Sequence, residues 1–375
     1  MTTQLKTVCV DARMLNNSGI GIYIRHFIKV LLANSHYSVV LLGRHRELSV
    51  YFSSASYRHI EADFPIYSIT EQIKLPYLIP DCDVFWSPHY NIPALPTRAR
   101  KYLVMVPDVY HLAFYNTLST AQKLYAKTFI NLAVRKANEI LTISRYSEAE
   151  ILKFTNIKRT NIHVIYLGID NGLFTRIDDL SIRKSTRDRY NVPEKYVLFV
   201  GNVKPNKNLK SLVAAFILLL ESLPNHHLLI VGKKEGFITG DSELFTLIDE
   251  HEVLRERVVF TGYVEFSDLP VLYSMASVFA FPSLYEGFGF PPLEAMACGC
   301  PVVASNRASI PEICGKAALY VDPLDSTSFA SALYQMITDN ALRTSIVQEG
   351  YRQAAKYDWN RAGEEFIHTV NSLID

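Results

Sequence analysis

The sequence predicts an α/β protein built from two Rossmann-like domains, and three observations support this prediction. Short runs of β-branched and aromatic residues alternate with helical patterns in both halves of the chain. These strand-like runs are apolar throughout, which is typical of parallel sheets that are buried on both faces. The length of 375 residues suits two domains, because a domain typically has about 150 residues.

The N-terminal half shows this pattern with some irregular stretches. A first strand over Thr7–Val10 leads to a loop with Gly19 and Gly21, and then to a helix that runs to Leu32. The later elements of the same predicted sheet are the strands Ser38–Leu42, Val84–Trp86 and Tyr102–Val106, the helix Ala121–Lys136, and the strands Glu139–Ser144 and Val164–Tyr166.

The C-terminal half shows the pattern more regularly. Its predicted strands are Tyr196–Val200, His227–Val231, Val258–Phe260, Val278–Phe281 and Pro301–Ala304, and its predicted helices are Asn208–Glu221, Ser242–Glu252, Asp268–Ala276 and Pro291–Ala297. Alternation at this spacing indicates repeated βαβ units. The apolar run Leu212–Leu220 is too short for a bilayer, which needs about 20 residues, so we expect a buried helix there.

The junction between the domains is expected near residues 168–190, because Asp178–Arg189 is charged and lacks a clear apolar stripe. We therefore predict an N-terminal domain over 1–175 and a C-terminal domain over 176–357. A terminal helix over 358–375 is expected to pack back on the first domain.

Composition and charge argue against several classes of function. The net charge of +1 gives no electrostatic basis for nucleic-acid binding. The N-terminus has no charged segment followed by an apolar one, so we expect no signal peptide and a cytoplasmic location. Scattered cysteines, odd in number, predict free buried thiols and no metal site: Cys9, Cys82, Cys298, Cys300 and Cys314.

The strongest functional signal is the backbone pattern of Ser283–Ala297, which follows a predicted strand and opens a predicted helix. Gly287 and Gly289 let a ligand approach the backbone closely. Pro291 and Pro292 suit the first helical turn, where no intrahelical donor is needed. The free amides and the positive dipole end of such a helix favour an anion, so the segment predicts a diphosphate site.

Two carboxylates, Glu286 and Glu294, flank this predicted diphosphate site. Carboxylates accept hydrogen bonds from paired hydroxyls such as those of a ribose or a hexose. One glutamate near the sugar and one near the ribose would span a sugar nucleotide.

A second signal, Phe199–Leu209, lies at the end of the first strand of the C-terminal domain. Ligands of open α/β sheets gather at the carboxyl ends of the strands. Gly201 lies at this end, and Lys204 and Lys207 follow with positive charge for a phosphate. The alternative is an exposed loop with solvated lysines.

Together these segments resemble the GT-B glycosyltransferases of family 4, the large retaining group. The family pattern E-x7-E is matched by Glu286 and Glu294, within the highly specific sequence Y-E-G-F-G-F-P-P-L-E-A-M-A-C-G-C-P-V-V. The resemblance extends over nearly the whole chain, through Asp11–Arg13, Ser18–Gly21, Thr142–Ser147, Leu167–Asp170, Phe260–Val264, Pro311-Glu312 and Val321–Pro323.

The resemblance implies a fold and a set of roles. The two domains would face each other across a cleft, and the C-terminal helix would cross back to the N-terminal domain. Glu294 would bind the donor ribose, Glu286 and the amides of Gly287 to Gly289 would hold the transferred sugar, and Lys207 would hold the diphosphate. Gly19 and Gly21 would face the diphosphate from the other domain, and no metal would be required.

Two departures from the family pattern affect these roles. Asn206 stands where many relatives carry an arginine before the phosphate lysine, and Lys204 is the candidate replacement. Pro107 stands where many carry a histidine that faces the donor sugar, and His111 is the candidate to take over. The predicted catalytic residues are Glu286, Lys207 and His111, and the predicted donor-binding residues are Gly19, Gly21, Gly201, Lys204, Lys207, Glu286, Gly287, Phe288, Gly289, Phe290 and Glu294.

The expected activity is retaining transfer of a hexose from a nucleotide sugar to a hydroxyl of a glycan or lipid-linked saccharide in surface polysaccharide synthesis. GDP-mannose is the first choice of donor, and UDP- and dTDP-sugars stay open. A non-catalytic nucleotide-sugar-binding protein is a further alternative. A nicotinamide dehydrogenase is disfavoured, because Ser18–Ile24 has G-x-G without the third glycine.

The acceptor is expected mainly on the N-terminal domain, where His89 and Tyr90 follow a strand. The predicted helix Lys123–Lys136 combines basic residues with Phe129, Ile130 and Leu132. Two interpretations stay open for it: peripheral contact with the inner face of an anionic membrane, or packing on its own sheet.

Overall fold

The computed structural model describes residues 5–114, 119–155, 157, 159–232 and 242–374. The chain forms two compact units. The first comprises residues up to Gly168 together with the C-terminal segment from Trp359, and the second comprises Ile169–Asp358.

The first unit is built on a parallel sheet with the strand order β3-β2-β1-β4-β5-β6-β7 in its described part. The strands are β1 Lys6–Asp11, β2 Tyr37–Gly43, β3 Arg58–Glu61, β4 Cys82–Ser87, β5 Ala99–Met105, β6 Glu139–Thr142 and β7 Ile162–Val164. The helices between them are α1 Ser18–Ala33, α2 His45–Phe52, α3 Ile69–Leu78, α4 Tyr110–Ala113, α5 Thr120–Lys136 and α6 Arg145–Phe154. The strand order reverses between β1 and β4, which makes this pair the topological switch point of the sheet.

The second unit repeats this plan with the order β10-β9-β8-β11-β12-β13, also parallel. Its strands are β8 Tyr196–Val200, β9 His227–Val231, β10 Val258–Gly262, β11 Val278–Phe281, β12 Val302–Ser305 and β13 Leu319–Val321. Its described helices are α7 Leu180–Tyr190, α8 Leu209–Ser222, α9 Ser242–Glu250, α10 Glu252–Arg257, α11 Leu269–Met275, α12 Phe290–Ala297, α13 Ile310–Cys314, α14 Ser326–Thr338 and α15 Asn340–Ala354. Its switch point lies between β8 and β11.

The last helix, α16 (Trp359–Ile374), packs on helix α1 of the first unit. The Phe366 ring stacks on Phe27 with 4.5 Å between ring centroids, and Trp359 stacks on His26 at 3.9 Å. Phe366 also contacts Trp86 of β4. Aromatic side chains therefore fix α16 to the core of the first unit, because each buries a large apolar area.

The apolar run Leu212–Leu220 lies within α8, whose side chains Leu212, Phe216 and Leu219 are buried, as predicted. No helix in the described ranges is long and apolar enough to cross a bilayer. All five cysteines are buried, and none forms a disulfide, also as predicted.

One local prediction was wrong, and one helix was not predicted. The last strand of the first sheet covers Ile162–Val164, not Val164–Tyr166. The charged segment Asp178–Arg189 contains α7, which buries only Thr186. This helix has little apolar periodicity because its ends are specified by caps: Asp179 accepts hydrogen bonds from the amides of Ser181 and Ile182, and Asn191 ends it in the left-handed region.

Candidate donor site

The switch point of the second unit brings the two predicted phosphate segments together. Strands β8 and β11 are parallel neighbours, so the loops that follow them leave the same edge of the sheet. The Leu284 amide donates to the carbonyl of Asn206 over 2.8 Å, and the Asn206 side-chain amide donates to the carbonyl of Tyr285. These bonds fix the loop after β8 against the loop after β11.

Lys207 and Glu286 meet at this edge. The Lys207 Nζ donates to Glu286 Oε1 over 2.5 Å, and both side chains are less than one-fifth exposed. The same ammonium lies 5.6 Å from the centroid of the Phe281 ring at the end of β11. A partly buried lysine held between a carboxylate and an aromatic ring presents a fixed positive charge at the strand ends.

The loop from Glu286 to Gly289 leads directly into α12. Gly289 precedes the helix with φ of +142°, a conformation that side-chain-bearing residues rarely adopt. No side chain caps the start of α12, and its second and third residues are Pro291 and Pro292, whose fixed φ suits a first helical turn. An anion site at the start of this helix stays a prediction.

Ser309 holds the loop from Glu286 to Gly289 in place. Its hydroxyl is fully buried and lies within hydrogen-bonding distance of two carbonyls, 2.9 Å from that of Glu286 and 2.6 Å from that of Phe288. The sequence analysis did not identify Ser309, because a serine that bonds only to backbone carbonyls belongs to no recognisable motif.

Glu294 lies inside α12 and is buried. The hydroxyl of Tyr273, itself fully buried, donates to Glu294 Oε2 over 2.9 Å. Burial raises the pKa of Glu294 to about 7, although the Tyr273 hydrogen bond opposes the shift. Tyr273 is therefore a second supporting residue that the sequence analysis missed.

The other predicted donor-binding residues of this unit, among them Gly201, Phe288 and Lys204, differ in their contacts and exposure. Gly201 directly follows β8, and a methyl group on it would lie 4.0 Å from Lys207 Cε. Phe288 packs its ring edge-on against Phe290 and Tyr357 and is buried. Lys204 is half-buried just before the short 3-10 helix Pro205–Lys207.

The first unit carries the remaining predicted residues. Gly19 and Gly21 lie in the first turn of α1. A methyl group on Gly21 would lie 2.2 Å from the carbonyl oxygen of Leu15, so the close approach of loop and helix requires glycine there. A methyl group on Gly19 would meet no atom within 4 Å.

His111 belongs to a cluster of tyrosine and histidine side chains at the carboxyl edge of the first sheet. The Tyr90 hydroxyl lies 3.4 Å from His111 Nδ1, and the Tyr67 hydroxyl lies 3.2 Å from His89 Nδ1. Burial, together with the charge on His111, lowers the pKa of His89 to about 3, so His89 is neutral at pH 7. Tyr67 has φ of +57°, an uncommon value for a non-glycine residue.

A buried cluster of charged side chains contacts Tyr67 and Asn91. Arg13 donates to Asp11 and to Glu71, each over 2.6 Å, and these side chains are nearly inaccessible. Glu71 also accepts from the backbone amide of Tyr67 and from Asn91. Arg13 Nη1 and Asn91 Oδ1 are among the buried side-chain atoms of the described residues that lack a hydrogen-bond partner. They place two unpaired polar atoms inside the first unit.

Comparison with known proteins agrees with the geometry of the second unit. Residues 183–353 match the family model described as glycosyl transferases group 1. O-antigen chain mannosyltransferase B of Escherichia coli is 31% identical over 250 residues, which cover 66% of this chain and 64% of that protein. O-antigen chain mannosyltransferase RfbU of Salmonella typhimurium is 31% identical over 245 residues, which cover 65% and 62%. The chain thus spans less than two thirds of these relatives.

Solved structures match both units. Sucrose-phosphate synthase from Thermosynechococcus elongatus has a TM-score of 0.78 at 20% identity, covering 98% of this chain and 99% of that one. HepE from Anabaena, in complex with UDP and glucose, has a TM-score of 0.77 at 19% identity, covering 98% and 100%. At such identity the likeness establishes the fold alone. The predicted GT-B fold class, with two sheets of parallel strands and interleaved helices, is confirmed.

Proposed function

We propose that the chain is a retaining glycosyltransferase, on the premise that residues 183–353 match the family model of the glycosyl transferases group 1. It transfers a hexose from a nucleoside diphosphate to a hydroxyl of a glycan or lipid-linked saccharide in the cytoplasm. The observation that carries the proposal is the Lys207–Glu286 pair beside the start of α12. A fixed positive charge, a carboxylate and the positive dipole end of a helix together suit a diphosphate joined to a sugar.

The proposed reaction exchanges one bond at the anomeric carbon. The bond from this carbon to the phosphate oxygen breaks, and the acceptor oxygen forms a bond on the same face. The acceptor proton passes to the departing phosphate oxygen, so no protein nucleophile is assigned. Lys207 and the positive dipole end of α12 stabilise the negative charge that develops on the diphosphate.

Glu286 has two roles in this proposal. Without donor, its carboxylate holds the Lys207 ammonium at the strand ends. With donor bound, it also accepts hydrogen bonds from hydroxyls of the transferred sugar. Glu294, supported by Tyr273, accepts those of the ribose. Because Lys207 and the helix dipole of α12 meet the diphosphate charge, we propose that transfer requires no metal and continues in excess EDTA.

Mannose from GDP-mannose is the proposed donor. The names of the two relatives at 31% identity support it, since both are O-antigen mannosyltransferases. The same names support surface polysaccharide as the product. A UDP-hexose is the second candidate, because the structural neighbour HepE was solved with UDP and glucose.

The acceptor saccharide is proposed to bind the first unit near Tyr67, His89 and Tyr90. Aromatic faces stack on sugar rings, and the unpartnered polar atoms of Arg13 and Asn91 lie in the supporting cluster. His111, beside Tyr90, is proposed to take the place of the family histidine that Pro107 replaces.

The test is a sugar-nucleotide screen with release of the nucleoside diphosphate as the readout, with and without a lipid-linked saccharide extract and with EDTA present. We expect GDP release from GDP-mannose that rises with acceptor, and an α-linked product by NMR. Release from a UDP-sugar alone would select the second donor. Nucleotide binding without any release would indicate the non-catalytic alternative.

A further inference from the structure

One tyrosine of the first unit is held in a strained backbone conformation. Tyr67, just before α3, has φ of +57°, a value that costs energy in a residue with a side chain. Such a conformation persists only where neighbouring groups enforce it, and it is found preferentially at functional sites. The groups that hold Tyr67 therefore indicate what its position serves.

The ring of Tyr67 is the accessible part of an aromatic cluster. Tyr67 is 39% exposed, whereas His89 and Tyr90 are buried, with their ring centroids 5.7 and 5.8 Å from that of Tyr67. Tyr125 of α5 contacts the same ring edge-on at 5.8 Å. A saccharide that approaches this cluster therefore meets Tyr67 before the two buried rings.

Helix α5 gives Tyr125 a rigid base. Ile130 is fully buried, and Phe129 and Leu132 pack against the same core cluster. Of the two interpretations that the sequence left open for this helix, packing on its own sheet describes these three side chains. Tyr125 supports the Tyr67 ring from this helix, but a ring contact does not explain the backbone conformation of Tyr67.

A buried carboxylate holds the Tyr67 backbone. Glu71 of α3 is fully buried, and its Oε2 accepts a hydrogen bond from the Tyr67 amide over 2.7 Å. Its Oε1 accepts one from Arg13 Nη2 over 2.6 Å, and the side-chain amide of Asn91 donates to both oxygens over 3.2 Å. The carboxylate thus joins three segments of the chain that are far apart in sequence or in separate elements.

The Asn91 side of this network carries the buried members of the aromatic cluster. His89 and Tyr90 come directly before Asn91 in the loop after β4. The Ser87 hydroxyl lies 2.7 Å from the carbonyl oxygen of His89 and 3.0 Å from that of Asn91. The Asn91 side chain on Glu71 and the Ser87 hydroxyl therefore fix this loop next to Tyr67.

The charge of Glu71 is maintained by its partners. Burial raises the pKa of Glu71, whereas the Arg13 charge and the hydrogen bonds from Arg13 and Asn91 oppose the shift. Arg13 is shared with Asp11, whose Oδ2 also lies 2.6 Å from Nη2. A buried ion pair is a weak source of stability, because desolvation offsets the attraction, but it can specify one arrangement of the groups around it.

We propose that Glu71 is the positioning residue of the acceptor site, holding Tyr67 against the His89–Tyr90 loop so that the acceptor saccharide stacks on the Tyr67 ring. Glu71 itself touches no saccharide, because its side chain is fully buried. The inference rests on the acceptor site proposed above for the first unit, and it is independent of the donor chemistry of the second unit.

The test measures binding of α-linked mannobioses to the full chain by saturation-transfer difference NMR, since mannose is the proposed sugar. Glu71→Gln keeps the size of the side chain but replaces one accepting oxygen by an amide group, which faces donors that it cannot accept from. We expect its dissociation constant to rise about tenfold or more, because a lost bond to a buried charged group is costly. Asn91→Ala removes one donor to Glu71 and should weaken binding by a smaller factor, which keeps the test open if Glu71→Gln does not fold.

A double variant separates positioning from general damage. Tyr67→Ala removes the ring itself and should weaken binding at least as much as Glu71→Gln. If Glu71 acts through Tyr67, the double variant Glu71→Gln/Tyr67→Ala binds within about twofold of Tyr67→Ala alone, because the two losses are not additive. A residue that only stabilises the unit would give additive losses.

The matched control is Glu150→Gln. Glu150 is also a buried carboxylate of the first unit, and Lys153 Nζ donates to it over 2.9 Å on α6. This variant should bind mannobiose like the wild type, and thermal unfolding of each variant checks folding. No mannobiose binding by the wild type, unchanged binding by the folded Glu71 and Asn91 variants, or additive losses in the double variant would overturn the proposal. Absence of donor cleavage alongside the expected binding effects would contradict the proposed transferase instead.

Discussion

At the residue scale, the side chains proposed to bind the donor are held by neighbours that are less visible in the sequence. Glu286 and Glu294 are apparent from their spacing, and Lys207 from its place after a strand. Ser309 and Tyr273 are not, because one bonds to backbone carbonyls and the other looks like an ordinary core tyrosine. The contact of Lys207 with Glu286 follows from strand adjacency, which a local pattern does not specify.

Glu294 gives a pH prediction. Its pKa rises from the ordinary 4.5 to about 7 in the folded protein. The folded state therefore binds the proton more tightly than the unfolded state, and stability falls as pH rises from 4.5 to 7. Glu294→Gln removes this loss, so the free energy of unfolding of the variant relative to wild type should rise by about 3 kcal/mol over this range. Urea titrations at several pH values measure it. A difference that stays constant with pH would contradict the burial argument.

Lys207 gives a prediction about rate. Lys207→Met removes the charge proposed to stabilise the leaving diphosphate, so the rate of donor cleavage should fall about 100-fold or more. Lys184→Met, on the exposed side of α7, is the matched control and should keep the wild-type rate. Single-turnover kinetics separate the chemical step from binding. A rate within about threefold of wild type would remove Lys207 from the mechanism.

At the scale of elements, the beginnings of the helices after β1 and β11 determine what each unit can bind. The sequence analysis located both from their glycines, and the two glycines of α1 differ in structure. Gly21 is required by contact with the loop, whereas Gly19 faces open space. The sequence pattern does not separate the two glycines, because the atom that makes Gly21 necessary is the backbone carbonyl oxygen of Leu15, which no side-chain pattern shows.

Paired alanine variants test this difference. Gly21→Ala places a methyl group against the Leu15 carbonyl and should destabilise the first unit by about 2 kcal/mol or more. Gly19→Ala meets no atom and should leave stability within about 1 kcal/mol of wild type. Chemical denaturation of both variants is the measurement. Equal losses of stability would show that the loop before α1 is placed differently.

At the scale of the whole molecule, two α/β units of related topology share one chain, and the C-terminal helix belongs to the first of them. The fold class could be predicted because apolar strands and amphipathic helices alternate. The strand β3 and the helix α7 could not, since β3 is only half-buried at the sheet edge and α7 depends on its caps. The ion cluster of Asp11, Arg13 and Glu71 was also missed, because Glu71 lies 58 positions from Arg13.

The packing of α16 can be tested with intrinsic fluorescence. The two tryptophans, Trp86 and Trp359, both lie in the first unit, so their emission reports its unfolding. Phe366→Ala removes a ring that stacks on Phe27 and contacts Trp86, and should destabilise this unit by about 3–5 kcal/mol. Tyr334→Ala, on a half-exposed site of α14, should leave the fluorescence transition unchanged. A small effect of Phe366→Ala would mean that α16 contributes little to the first core.

The central claim is that the second unit binds a nucleoside diphosphate at the start of α12, and a thermal-shift screen tests it most directly. Wild type and Glu294→Ala are compared with GDP, UDP, dTDP, NAD and the matching sugar nucleotides, each against its own ligand-free transition. We expect one nucleoside diphosphate, GDP in the first place, to raise the melting temperature of the wild type, with a smaller rise in the variant. No response to any nucleoside diphosphate, an equal response in the variant, or a response to NAD alone would contradict the claim.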